Sequence, residues 1–101
     1  MKIPKHIKIA AYDFRVQYPY DRKDFKWAAE IDHDKHKIRI ASRGSEGKKK
    51  AGSEIELNLL HEILHGVNCR YLPPKQRLRE PQIQQISEGL YQVLKDNKLR
   101  F

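Results

Sequence analysis

Hydrophobic and polar residues alternate from His6 to Tyr18. Ile7 and Ile9 flank Lys8, and then Tyr12, Phe14, Val16 and Tyr18 alternate with Asp13, Arg15 and Gln17. A period of two marks a half-buried strand. The phase slips at Ala10-Ala11, which predicts a bulge or bend within the extended stretch. Pro19-Tyr20-Asp21-Arg22 reads as a turn. Two more strands are predicted, at Trp27 to Ile31 and at Lys37 to Ser42, joined as a hairpin through Asp32-His33-Asp34-Lys35-His36. The glycine- and lysine-rich run from Arg43 to Gly52 predicts an exposed, mobile loop.

After that loop the period becomes helical. Ser53 with Glu56 three residues on has the spacing of a capping box, and Glu54 and Glu56 suit the positive end of a helix dipole. The helix is expected to run to about Arg70, and Pro73-Pro74 forbids its continuation. A second helix is expected to open at Glu80-Pro81, with proline in the first turn, and to carry Ile83, Ile86, Leu90, Val93 and Leu94 on its apolar face. The element order is therefore β-β-β-α-α. The expected fold class is α+β: a three-stranded, mainly antiparallel sheet packed on the first helix, with a second, C-terminal helix.

Length and composition narrow the reading further. A chain of 101 residues is one domain's worth, so residues 1–101 are expected to form a single unit. A domain this small buries only about two-thirds of the surface its unfolded chain exposes, so a bound metal would add usefully to stability. No run approaches the roughly 20 apolar residues that span a bilayer. The start, Met1 to His6, leads into alternation and not into a continuous apolar stretch, so no signal peptide is expected. The single cysteine, Cys69, excludes an intrachain disulfide framework and points to a reducing, cytoplasmic setting. The net charge of +8 favours anionic partners such as nucleic acid or acidic proteins. Much of that excess lies in Lys48-Lys49-Lys50 and at scattered strand positions, and no recognised nucleic-acid motif accompanies it.

The chemistry sits in His61-Glu62-Ile63-Leu64-His65. Residues four apart on a helix lie about 40° apart and one turn along, so both imidazoles can reach one zinc ion. Glu62, about 100° round from His61, can address a water beside the metal without being a ligand, which is the place of a general base. Around the same helix Leu57, Leu59, Leu60, Ile63, Leu64 and Val67 cover most of the circumference, as in a buried helix. The remaining sector holds Asn58, His61, Glu62, His65, Asn68 and Cys69. Two carboxylates on the second helix compete to be the third ligand. Glu80 lies at the border of the apolar face, whereas Glu88 points nearly opposite, so geometry favours Glu80. His33 and His36, with Asp32 and Asp34, form a rival cluster that reads better as a polar hairpin turn. Cys69 lies one turn beyond His65 and is expected to be a small buried residue and not a ligand.

These residues resemble the compact zinc-metallopeptidase-like proteins of phage and mobile elements, related to the ImmA/IrrE type. The resemblance runs from Lys37 to about Asn97. It takes in Ile38-Arg39-Ile40, then Leu59 to Gly66, and then the closing helix from Glu80 to Asn97. It implies a minimal zincin-like fold in which Zn2+ is held by His61, His65 and a glutamate opening the later helix. Glu80, with Ile83 and Ile86 three and six positions on, matches that spacing. The expected activity is zinc-dependent hydrolysis of a peptide or protein substrate with Glu62 as base, and an edge strand, taken as Lys37 to Ser42, is expected to hold the substrate by β-addition. The alternative is a non-catalytic, zinc-stabilised binding module whose basic surface meets a protein or nucleic-acid partner.

Overall fold

The structure, a computed structural model, describes residues 2–99. Four strands and two helices follow in order: β1 (His6–Ile9), β2 (Tyr12–Gln17), β3 (Ala29–Asp32), β4 (Lys37–Ile40), α1 (Gly52–Tyr71) and α2 (Glu80–Asp96), with a turn of 3₁₀ helix at Pro74–Gln76 between the helices. The α+β class holds, but the sheet has four strands and is mixed, in the order β1-β2-β4-β3.

The first difference from expectation arises at Ala10-Ala11. Ile9 pairs with Tyr12, so the two alanines form a two-residue turn between antiparallel strands, not a bulge in one. Ala10 takes φ 56°, the conformation such turns usually assign to glycine or asparagine. The second difference is the parallel pairing of β2 with β4. After β2 the chain crosses to the sheet edge, lays down β3, and turns back so that β4 fills the place between. β3 begins two residues later than expected, leaving Trp27 67% exposed ahead of it, and β4 ends at Ile40. The hairpin turn between them is stapled by Asp32, whose Oδ1 accepts from the Asp34 and Lys35 amides at 3.1 and 2.9 Å.

The inward faces of the strands supply Ile9, Phe14, Val16, Ile38 and Ile40, which meet Ile55 and Leu59 of α1. Each such side chain contributes about 1.5–3 kcal/mol by leaving water. At Gly66 the helix lies so close to the sheet that a Cβ there would stand 2.6 Å from Ile9 Cδ1 and 3.2 Å from Ile31 Cδ1. This contact sets the height of the histidine turn above β3.

The helix starts differ from expectation as well. α1 begins at Gly52 with Ala51 as its N-cap and no side-chain cap. Ser53 is exposed, and Glu56 turns inward, where Tyr91 Oη donates to it at 2.6 Å. No Ser53–Glu56 capping box forms. Instead Gln82 Oε1 caps α2 by accepting from the Arg79 amide at 2.8 Å. On α2 the buried positions are Ile83 and Ser87, with Tyr91 and Leu94 half-buried behind them. The expected apolar face was rotated too far: Ile86, Leu90 and Val93 are 45, 38 and 45% exposed. No helix among the described residues is long and apolar enough to cross a membrane.

Candidate metal centre and its cleft

α1 lies between the sheet and α2, and its polar sector opens into a cleft of about 800 Å³. One wall is the segment Trp27 to Ile31 with His33, the floor is α1, and Glu80 and Gln84 close the other side. The register of α2 explains the placement of Glu80. It stands seven residues before Ser87 and three before Ile83, on the face that packs against α1. Glu88 is exposed and accepts from Gln84 Nε2 at 2.7 Å, away from the histidines.

His61, His65 and Glu80 come together. His61 Nε2 lies 2.8 Å from one carboxylate oxygen of Glu80, and His65 Nε2 lies 2.6 Å from the other. The two Nε2 atoms are 3.1 Å apart. Two ligands on a tetrahedral zinc with bonds of 2.0–2.1 Å would be roughly 3.3 Å apart. Two imidazoles and a carboxylate aimed at one point form a donor set suited to a divalent cation, and all three ligand atoms lie within 4.8 Å of one another. Glu80 is 62% exposed, so the centre is open to solvent on that side.

Ser87 was not foreseen as part of this centre. Its hydroxyl is fully buried and donates to the Gln84 carbonyl at 2.9 Å. With its hydrogen committed there, it can only accept from His61 Nδ1, at a long 3.4 Å. That contact favours the tautomer with Nδ1 protonated and leaves the Nε2 lone pair for a metal. A serine at helical spacing carries no sequence signal for such a role.

Glu62 is buried, 7% exposed, and makes no hydrogen bond or ion pair among the described residues. Burial first, and then the charges of Glu80 and Glu30, push its carboxyl up to about 8. Glu30 on β3 is itself tied to Arg39, whose Nε donates to Gln17 Oε1 at 3.0 Å. A cation held by the two histidines and Glu80 would pull the Glu62 carboxyl back down.

The rival cluster is dispersed. Asp32 staples the turn, and His36 packs its ring 4.8 Å from Tyr12 and 5.3 Å from Phe14. Only His33 reaches the cleft, with a buried Nδ1 that has no hydrogen-bond partner. Burial, with the nearby Arg70 and His65, lowers its pKa, which favours a neutral ring. Cys69 is half-buried, and its carbonyl accepts from Arg77 at 3.0 Å. The strand flanking the cleft is β3 and not the expected Lys37 to Ser42, because β4 lies between β2 and β3. Compared with known proteins, the chain matches no family model, no curated protein and no solved structure.

Proposed function

We propose that this protein is a zinc-dependent hydrolase that cuts peptide bonds, a cytoplasmic metallopeptidase of the minimal zincin-like type that its sequence resembles. The observation that carries the reading is the buried, unpartnered carboxyl of Glu62 beside three convergent ligand groups. A buried carboxylate without a partner costs stability, so a purely structural centre gains nothing from one at this position.

His61, His65 and Glu80 would hold the ion, which when bound supplies Lewis acidity towards a carbonyl and lowers the pKa of water. Glu62 takes the proton of the attacking water and passes it to the leaving amine as the C–N bond breaks. Ser87 keeps His61 in its metal-binding tautomer. His33, on the opposite wall, can donate a hydrogen bond to a carbonyl oxygen. β3 pairs with β4 on one edge only, so its other edge offers backbone N–H and C=O groups to an extended peptide.

The test is a metal analysis joined to an activity comparison. About one zinc per chain is expected, lost in His61→Ala/His65→Ala. Glu62→Gln should keep fold and zinc while cleavage of a peptide library falls about 10²–10⁴-fold. If wild type cleaves nothing that this variant spares, the zinc-stabilised binding module becomes the better account.

A further inference from the structure

Lys50 falls in the run expected to be exposed, yet it is only 8% exposed. Its Nζ donates to the Ala28 carbonyl at 3.2 Å and to Asn58 Oδ1, both neutral oxygens. Among the described residues no carboxylate lies within ion-pair distance, and the third N–H has no acceptor. A buried lysine is rare without a counter-charge, because desolvating an ammonium is costly.

Lys50 lines a second cavity, of about 680 Å³, which shares Trp27 and Ala28 with the catalytic cleft. Arg22, Lys26 and Arg43 line it too, against Asp21 and Glu54. Asp21 is already occupied, accepting from the Ser42 amide at 2.8 Å and from the Ser42 hydroxyl at 2.5 Å. Arg43 spends one nitrogen on the Gly47 carbonyl, 3.0 Å away, and has others to offer. The neighbouring cleft is the reverse in sign, with Glu30, Glu62 and Glu80 in its lining.

We propose that this second cavity is a carboxylate subsite, in which Lys50, with Lys26 and Arg43 at its rim, binds an acidic side chain of a peptide lying along β3. The inference rests on the hydrolase reading, of which it names the substrate class: peptides with glutamate or aspartate a few residues from the scissile bond. A peptide is favoured over nucleic acid because the free β3 edge offers backbone N–H and C=O groups that pair with a peptide backbone and have no counterpart in a chain of phosphates.

Trp27 is the chain's single tryptophan and lines both cavities, so its emission reports occupancy without turnover. Zinc-loaded protein and its Glu62→Gln variant are titrated with an acetylated, amidated tetraglutamate peptide, its tetraglutamine counterpart and a short single-stranded DNA of matching length. Saturable binding is expected for the glutamate peptide alone. It should weaken about tenfold or more in Lys50→Met, and likewise in Lys26→Gln/Arg43→Gln, since hydrogen bonds to charged groups are worth that much. If Lys50→Met fails to fold by circular dichroism, the double rim variant decides. Equal binding of the glutamate and glutamine peptides, stronger binding of the oligonucleotide, or unchanged binding in the double variant would each overturn the subsite. Selective binding by a protein that never cleaves would instead sink the hydrolase and leave the subsite standing.

Discussion

α1 carries two buried glutamates, six residues apart and almost equally hidden, in opposite electrostatic states. Glu56 is 5% exposed and Glu62 is 7% exposed. Burial alone would raise both carboxyls. At Glu56 it is outweighed by hydrogen bonds, those of Tyr91 and Lys95 among them, and the carboxyl is held at about 2. In return the Tyr91 phenol, half-buried against that carboxylate, is pushed up to about 12. At Glu62 no donor arrives, Glu80 and Glu30 add repulsion, and the carboxyl is driven to about 8. Burial depth therefore does not decide the electrostatic state of a buried carboxylate. The presence or absence of donors does, and the glutamate that lacks them is the one that lines the cleft.

The largest expected effect tests that division by rate. In zinc-loaded protein Glu62→Gln should lose about 10²–10⁴-fold in peptide cleavage, while Glu56→Gln should stay near wild type. A collapse of both in steady-state assays would mean that Glu56 shapes the site and that the two positions are not independent.

Stability should show the reverse ranking. Glu56→Gln exchanges a satisfied carboxylate for an amide facing the same donors and should cost about 1–3 kcal/mol in a urea titration. Glu62→Gln removes a group with no donors, so the metal-free variant should match wild type near pH 4.5 and be the more stable protein at pH 7 and at pH 9.

The pH profile of the metal-free protein sharpens this. Glu62 binds its proton more tightly folded than unfolded, so its contribution is full below pH about 4.5 and is lost as pH rises through about 8. Glu56 has the opposite sign: its contribution is full above about 4.5 and is lost as pH falls towards 2. Midpoints measured from pH 3 to 9 should therefore peak in mild acid, with the alkaline decline missing from Glu62→Gln. An alkaline decline that survives in that variant would assign it to another group.

The smallest effect belongs to the sheet side of the helix. Gly66→Ala adds a methyl against Ile9 and Ile31, a cost of about 1–3 kcal/mol that alanine's better helix propensity offsets by about 1. A net loss of about 1 kcal/mol is expected by thermal melting. A gain would show that the helix can lift from the sheet.

The two helices were legible because each declares itself locally: proline ends α1 after Tyr71, and Glu80-Pro81 opens α2. The His61–Glu62–His65 grouping follows from the helix period alone. The sheet was read less well. An Ala-Ala turn with one residue at positive φ carries none of the Asn-Gly chemistry that marks a hairpin, so two strands looked like one. The β2–β4 pairing is a matter of which strand occupies the centre, and local alternation is silent on that. The Ser53–Glu56 spacing misled because Glu56 answers to partners 35 and 39 residues away, Tyr91 and Lys95. Lys50 was hidden for the same reason: its burial comes from Ala28 and Asn58, and a lysine-rich run gives no hint which lysine turns inward.

The turn into α2 has one more consequence. Asn68, on α1, clasps the Leu78 backbone twice, accepting from its amide at 2.8 Å and donating to its carbonyl at 3.1 Å. Glu80 follows two residues later. If His61, His65 and Glu80 hold zinc as proposed, the third ligand is tethered to the helix that bears the other two, and its effective concentration at the ion would be set by this clasp and not by free diffusion of a loop. The residence time of such an ion would then depend on how often the Leu72–Arg79 connection lets go, an opening that does not require the sheet or α1 to unfold.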